Sequence, residues 1–566
     1  MDKITESLLG SFAAENEIES CEGHEQFEHF ANHCILSKHY RHTFALDSIH
    51  TGGGGDVALD GIAIIVNGQI VEDEDELADV VRSAGYLDCD VLFVQAKTSS
   101  SFSGAEIGNF ILGVKDFLND SPKLVQNQFV RQAKSIWDAV IAASALMHNR
   151  RPNCWLYYVT TGRWQNDQNL TAVVRSGVKE IEDSGLFHEV NFHPLGADEI
   201  QRLFHETKNK LSTTISFQSK VTLPDIEGVS EAYLGVLPFN EFLKLVQDEA
   251  GRAFSIFDDN VRDFLGDNQV NRKIAKSLHD GKYELFSILN NGVTLVATSL
   301  TPAGNRFTIR DYQIVNGCQT TNVLRESSEL EGIDRVSVPI KIIVTDNDDI
   351  KNEVTIATNS QTEVRAEQME ALTQFQKKLE LYYVSITEPV QLYYERRSKQ
   401  YASDQSVRKT QVITIPTQIK AFAAAYLNVP HSVSGYYGTI VKRFSGKIFS
   451  REHQLSPYYA SALCHYRLEA FFRNGQMNTD YKKLRFQLIM LARIFASGFE
   501  LSPFNSHSVD KAALDFCGKL NNNNSALKLF HDGVKICKDA GIDLSKRQFK
   551  AESDTALLLE QVKKCV

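Results

Sequence analysis

The chain has no run of 18 or more apolar residues, so no membrane span is expected in its 566 residues. Its nine cysteines include no C-x-x-C pair, which removes the zinc-ribbon and disulfide-framework readings. Cys34, Cys89, Cys464 and Cys517 stand in apolar surroundings, the pattern of reduced, buried thiols in a cytosolic protein. Positive charge is not in excess: 60 Lys and Arg face 71 Asp and Glu, a net charge of −11. Such a chain repels a phosphate backbone at long range, so any grip on nucleic acid must rest on local basic patches. The first twenty residues carry Asp2, Glu6, Glu15, Glu17 and Glu19 and lack a cationic start before an apolar core, which argues against a secretory signal. No internal repeat with a period of roughly 20–50 residues is present.

What is there is an ordinary globular composition, 43% apolar and 23% charged. The length predicts about two to four domains. Residues 1–212 read as one α/β unit, 213–228 as a linker strand and turn, 229–454 as a second α/β unit and 455–566 as a helical region. In the first unit a helix is predicted over Glu22–Lys38, a strand over Leu59–Val66, a tight Asn67-Gly68 turn and a return strand over Gln69–Val71. The acidic stretch Glu72–Arg82 reads as either a helix or a solvated loop. A buried strand is predicted at Asp90–Ala96, helices across 106–119 and 126–148, and strands at Cys154–Thr160 and Phe187–Phe192. In the second unit strands are predicted near Ser287–Thr298, Arg306–Val315 and Val338–Val344, with helices near Val261–Leu278, Thr320–Glu331 and Glu363–Thr387. The Asn run at 521–524 reads as a loop or cap between helices.

Two short strings carry the chemistry. GGGGDVALDGIAIIVNG at 52–68 puts Asp60 at the head of an apolar strand, and DVLFVQAKTSS at 90–100 ends another on Gln95-Ala96-Lys97. Hydrolysis of a phosphodiester needs a metal that polarises the phosphate and activates a water. Mg²⁺, or Mn²⁺ in its place, takes oxygen ligands and keeps several waters, so one or two acids suffice. Asp60 is the expected anchoring carboxylate, and Gln95 lends a side-chain oxygen or positions a metal water. Lys97 shares a face with Gln95 because strand side chains alternate, and its ammonium suits the attacking water or the transition-state charge. Glu28 on the first predicted helix is the best additional acid, with Asp56 and Glu25 as weaker candidates. The plainer reading is that Asp60 caps a turn and that Q-x-K on a strand is chance.

An Asp at the head of the LDGIAI strand, with Gln95-x-Lys97 on a later strand, resembles the PD-(D/E)xK nuclease superfamily. The Q-x-K form is similar to Mrr-type restriction nucleases. The resemblance implies a restriction-endonuclease-like mixed sheet flanked by helices, a metal-dependent endonuclease activity and a helix-borne acid where Glu28 falls. Gln in place of the usual acid removes one negative ligand. An inactive relic of that fold which still binds nucleic acid is the alternative.

The second unit has its own series: NVRDFLGDNQVNRKI (260–274), FSILNNGVTLVA (286–297), DYQIVNGCQTTNVL (311–324), ATNSQTEV (357–364) and YYERRSKQYA (393–402). The series resembles the AIPR family over roughly residues 229–500, which implies a bacterial role in abortive infection and phage resistance. Asn291-Gly292, Asn316-Gly317 and Asn359-Ser360 each set a turn former at an apolar strand end. Such turns expose N–H groups that make anion nests, and Gln319, Thr320 and Thr321 follow where a helix start favours phosphate. The IVNGCQTT string loosely resembles the phosphate-contacting loop of ParB and sulfiredoxin-like domains. The plainer reading is that these residues close turns and cap a helix. Arg262 and Arg272 either reach a phosphate or form surface salt bridges.

Two basic clusters interleave with aromatics: Arg396, Arg397, Lys399, Arg408 and Lys409 with Tyr393, Tyr394 and Tyr401, and Lys442, Arg443, Lys447 and Arg451 with Tyr436, Tyr437 and Phe444. That pattern suits a nucleic-acid surface, against the simpler reading of a solvated charged face. His453, His465 and His507 lack metal spacing. Together these features predict a cytoplasmic defence nuclease that cuts DNA, or RNA, and works as a homodimer, the commonest assembly. Its second unit would sense a trigger or regulate the cut. A nucleotide-sensing regulator without catalysis is the rival.

Overall fold

The computed structural model describes the chain apart from residues 41, 53, 148–150, 166, 209–211, 248–268, 348–349, 352, 355–356, 358–362, 397–399, 403, 434–439, 442, 445, 543–550 and 566, and apart from the side chains of 83, 269–273, 318–319, 326 and 363–373. It is a mixed α/β protein with a helical C-terminal region. Among the described residues no helix is long and apolar enough to cross a membrane.

The first unit runs α1 (Lys3–Asn16), α2 (Gly23–His39), β1 (Gly61–Val66), β2 (Gln69–Ile70), α3 (Glu74–Ala84), β3 (Cys89–Lys97), α4 (Gly104–Leu118), α5 (Gln128–Ala142), β4 (Asn153–Thr160), α6 (Gln168–Glu182), β5 (Glu189–Leu195) and α7 (Ala197–Lys208). Its sheet has the order β2-β1-β3-β4-β5, with β1 antiparallel to both neighbours and β3, β4 and β5 mutually parallel. The β1–β2 hairpin turns on Asn67 and Gly68, both at positive φ (51° and 77°), the twist that two-residue hairpins need. The acidic stretch is helical. Asp73 caps it by accepting from the Glu76 N–H at 2.9 Å, three acids sit in its first turn, where the helix dipole favours them, and Gly85 ends it at φ 76°. Sequence reading did not anticipate α1, α6 or α7.

The sheet is covered on both faces, as parallel strands require. On β3, Val91 and Phe93 face a core shared with Phe110 of α4, Trp137 of α5 and Ile181 of α6. Leu92, Val94 and Ala96 face the opposite core, with Phe12 of α1, Phe30 of α2 and Phe204 of α7. Gln95 and Lys97 continue the first of these rows, so they reach the end of the sheet on the α4 and α5 side.

A second sheet takes the order β6-β10-β9-β11-β8-β7, from β6 (Ser212–Ser216), β7 (Ser219–Thr222), β8 (Glu231–Pro238), β9 (Val293–Ala303), β10 (Arg306–Asn316) and β11 (Ser337–Val344). Only the β9–β11 pair is parallel. The stretch read as a linker strand and turn supplies both edge strands of this sheet. The strand expected from Ser287 starts later, at Val293, because Phe286–Leu289 winds into a short helix and Gly292 (φ 77°) turns the chain. Helices at Phe239–Val246, Gln269–His279 and Cys318–Glu326 accompany the sheet. One of its faces packs a large core around Phe242, Phe286 and Ile340, whereas Val296, Val315 and Ile343 form a small cluster on the other.

The remaining helices share one core that runs from Phe375 to Val562. It crosses position 455, because the helix Glu363–Ser385 contributes Phe375, Leu379 and Tyr383 to it. Within the Asn run, Asn522 caps the helix Asn523–Asp539 by accepting from the Ser525 N–H at 3.0 Å. This helical region grips the first unit through charges. Glu17 pairs with Arg408 at 2.9 Å and with Arg473 at 2.8 Å, Glu76 with Lys420 at 3.4 Å, and Asp47 with Lys482.

Candidate active site

Asp60 stands immediately before β1, where the chain crosses from a loop into the sheet. Its backbone N–H donates to Val94 O at 2.8 Å, and its carbonyl accepts from Asn32 Nδ2 at 2.9 Å and from the Thr51 N–H at 3.3 Å. Gly61 makes this junction possible, since a Cβ there would lie 2.3 Å from Asn32 Oδ1. The Asp60 side chain is buried, with Oδ2 accepting from the Ala96 N–H at 2.8 Å and from Gln95 Nε2, and lying 3.8 Å from Lys97 Nζ. Gln95 is 1% exposed. Its amide nitrogen serves Asp60, while its Oε1 is buried with no hydrogen-bond partner. The Lys97 side chain is 37% exposed, so the cluster opens toward solvent at the lysine. Burial first, then the Glu28 carboxylate, push the Asp60 carboxyl up to about 7, against the opposing pull of Lys97 and the Ala96 N–H.

Glu28 projects from α2 and meets His50, with Oε2 3.1 Å from Nε2. The His29 ring lies against His50, tilted by 37° at a centroid distance of 3.9 Å, and is held down to about 3 by burial and then by His50. Asp56 accepts from the Ala58 N–H at 3.0 Å within its own turn. Glu25 lies in the first turn of α2, beside Cys21, whose thiol burial and then Glu25 push up to about 11. The structure therefore brings Asp60, Gln95 and Lys97 together, adds Glu28 within electrostatic reach, and leaves Glu25 by Cys21. Among the described residues there is no group of three or more His, Cys, Asp and Glu side chains that could hold a metal ion.

Sequence reasoning missed three neighbours. Tyr158 stands opposite Gln95 in the β3–β4 register, and its hydroxyl donates to Glu106 Oε2 at 3.0 Å. Burial, then Glu106, hold that phenol well above its ordinary range. Ser103 and Glu106 have capping-box spacing, a signal that points to a helix start rather than to a site. His50 carries no local signal at all, because its partner lies far back in the chain.

In the second unit the two Asn-Gly turns lie side by side. Gly317 (φ 99°) opens the helix Cys318–Glu326, and a Cβ there would come 2.9 Å from Gly292 O and 2.8 Å from Val293 Cγ2. Asn316 is the last residue of β10 and pairs with Thr294 on β9. Asn291 precedes Gly292, and Thr320 is buried. The hydroxyl of Thr321 donates to Gly317 O at 2.9 Å. Arg262, Asn359 and Ser360 lie outside the described residues, as do the side chains of Gln319 and Arg272.

The first basic cluster is engaged within the protein. Arg396 Nε donates to Glu380 at 3.0 Å and is 10% exposed, Arg408 pairs with Glu17, and Lys409 donates to the carbonyls of Tyr401 at 2.7 Å and Asp404 at 2.8 Å. Arg396 and Lys409 are thus tied within the protein, whereas the Arg408 side chain is 60% exposed beside Glu17. Arg397, Lys399, Lys442, Tyr436 and Tyr437 lie outside the described residues. In the second cluster Arg443 reaches Ser432 Oγ at 3.1 Å, and Lys447 and Arg451 are exposed.

The protein is thus a mixed α/β chain with a buried carboxylate, an amide and a lysine gathered at one sheet end. It belongs to the AIPR family, whose model, described as AIPR protein, matches residues 257–539, half of the chain. Membership associates it with abortive infection and phage defence. The matched residues take in part of the second unit and most of the helical region and leave out Glu28, Asp60, Gln95 and Lys97. The chain matches no curated protein and no solved structure.

Proposed function

We propose that the first unit is a metal-dependent nuclease, the cutting part of a defence effector whose AIPR region senses or regulates. The observation that carries this reading is the contact of Asp60 with both Gln95 and Lys97 at one end of the sheet. The sheet order β2-β1-β3-β4-β5, entered from a helix, supports the likeness to PD-(D/E)xK nucleases. The donor set is all oxygen: two carboxylates, Asp60 and Glu28, and an amide oxygen of Gln95 that is buried and has no partner. Such a set fits a hard ion, Mg²⁺ or Mn²⁺, better than zinc. When bound, that ion supplies a Lewis acid for the phosphate and lowers the pKa of a water. Asp60 would anchor it, Gln95 Oε1 would offer a second oxygen and Glu28 would add negative charge from α2. Lys97, partly exposed, would orient the attacking water or meet the charge on the phosphate oxygens.

The shared phosphodiester makes both DNA and RNA substrates of this chemistry, and DNA is the first choice. A homodimer places two such sites for the two strands of a duplex. Incubation with plasmid, linear DNA and RNA, in Mg²⁺ and in EDTA, tests the reading. Cleavage in Mg²⁺ that disappears in Asp60→Ala and Lys97→Ala is the expected result, and cleavage that persists in those variants removes the residues from the mechanism. A second reading, a nucleic-acid-binding fold without turnover, is favoured by the lack of a three-member His, Cys, Asp and Glu group among the described residues. It requires binding that Asp60→Ala leaves unchanged and no turnover with any metal.

A further inference from the structure

The segment from Asp47 to His50 touches three parts of the protein within four residues. At its end His50 bridges to Gly61 by backbone pairing, and the adjoining Ile49 carbonyl accepts from the Ile62 N–H at 2.9 Å. The next residue, Thr51, donates its N–H to the Asp60 carbonyl at 3.3 Å. The backbone around His50 is therefore fixed to the strand that carries Asp60. Its ring meets Glu28 of α2, with Nε2 3.1 Å from Oε2. A carboxylate accepts, so Nε2–H donates. The contact is sheltered, with the two side chains 12% and 13% exposed. His29 packs against the ring at a tilt, and Gly52 leaves room for it, since a Cβ at 52 would come 2.4 Å from His50 Cε1. At the other end of the segment, Asp47 pairs with Lys482 of the helical region and Ser48 Oγ donates to Glu72 Oε1 at 2.6 Å.

We infer that His50 is a positioning residue that holds the Glu28 carboxylate toward Asp60 for the metal, and that the helical region braces it through the Lys482–Asp47 pair. The inference rests on the metal-site reading above. Glu28 comes from a helix and Asp60 from a strand head, and His50 ties them together through one ring and one backbone bridge. A carboxylate that must meet a metal needs an outer partner to fix its orientation, and loss of such a partner typically weakens metal affinity about 10- to 100-fold. The brace also gives the AIPR region a physical route to the site. A shift of Lys482 moves Asp47, and with it the short segment that ends on His50.

The test is Mn²⁺ binding to the full-length chain, read by electron paramagnetic resonance at one pH, with metal-free melting temperature as the check on folding. His50→Phe keeps the ring contact with His29 and removes the donor. His50→Gln keeps a side-chain N–H and removes the ring. The expected result is Mn²⁺ affinity about tenfold or more weaker in His50→Phe, near wild type in His50→Gln, and on the order of threefold weaker in Lys482→Ala. Wild-type affinity in His50→Phe, or binding by His50→Gln no better than by His50→Phe, overturns the positioning role. Wild-type affinity in Lys482→Ala overturns the brace alone. Asp60→Ala separates the layers. Mn²⁺ that fails to bind the wild type, or binds Asp60→Ala as well, defeats the metal-site reading itself, whereas loss in Asp60→Ala with no loss in His50→Phe defeats only this inference.

Discussion

The two sheets end apolar strands on polar residues in the same way, yet they build different things there. In the first sheet β3 and β4 run parallel, so Gln95 and Tyr158 stand side by side at strand ends of one polarity. Helices cover both faces, and Asp60 enters from the neighbouring strand to lie 3.8 Å from Lys97. In the second sheet β9 and β10 are antiparallel, so the start of one meets the end of the other. Two Asn-Gly turns meet there as packed backbone, with Gly317 against Gly292. A strand end becomes a candidate for chemistry when neighbouring side chains aim into one volume, and a structural junction when backbone fills that volume. The family match falls on the second kind of region and leaves the first outside it.

Substitutions at the first site break this contrast most strongly if it is mistaken. Asp60→Ala removes the anchoring carboxylate and should lower metal-dependent cleavage by about 10³-fold, the equivalent of several kcal/mol. Lys97→Ala should cost about 10²-fold or more, measured as single-turnover cleavage rates.

A pH series sharpens the point without a substrate. The Asp60 carboxyl takes its proton near pH 7 in the folded protein and near the ordinary carboxylate value in the unfolded chain. Between about pH 4 and 7 the folded state therefore holds the extra proton. Stability from this group is present below that window and is lost as pH rises through it, by up to about 1.4 kcal/mol per pH unit. In metal-free thermal melts, Asp60→Asn should gain on wild type from pH 4.5 to 7.5 and then hold its lead. A difference that is flat across that range would mean that Asp60 is not a buried, proton-bearing acid. Divalent metal competes with that proton, so wild-type affinity for Mn²⁺ should rise through the same window.

At the second sheet the expected effect is smaller and of another kind. Gly317→Ala forces a side chain into positive φ and against Val293, and should cost roughly 1–3 kcal/mol of stability by chemical denaturation while leaving Mn²⁺ binding unchanged. Smallest of all is Arg408→Gln. Its guanidinium is 60% exposed beside Glu17, so its loss should change stability by less than about 1 kcal/mol and leave nucleic-acid affinity alone. A clear fall in that affinity would mark the basic cluster as a binding surface.

Much of the first unit was legible because its signals are local. Asn67-Gly68 dictates a hairpin, the apolar runs before and after it dictate buried strands, and the alternation of β3 puts Gln95 and Lys97 on one face. Asp60 was legible as an acid at a strand head. His50 was not, since its role arises only when the segment before Asp60 folds back onto Gly61 and α2 brings Glu28 alongside. The internal partners of the basic residues were hidden for the same reason. Arg396 pairs with Glu380 across a turn of the fold, and Lys409 folds onto nearby carbonyls, contacts that composition does not reveal. The acidic stretch at α3 was ambiguous in charge alone, and its capping residues decided it.

The most direct test is a crystal of the full chain grown with Mn²⁺ and measured at an energy where manganese scatters anomalously. The account expects one strong peak bonded to the Asp60 carboxylate and to Gln95 Oε1, at about 2.0–2.6 Å, with Glu28 turned toward it. A peak bound elsewhere, or none beside Asp60 with the metal in excess, contradicts it.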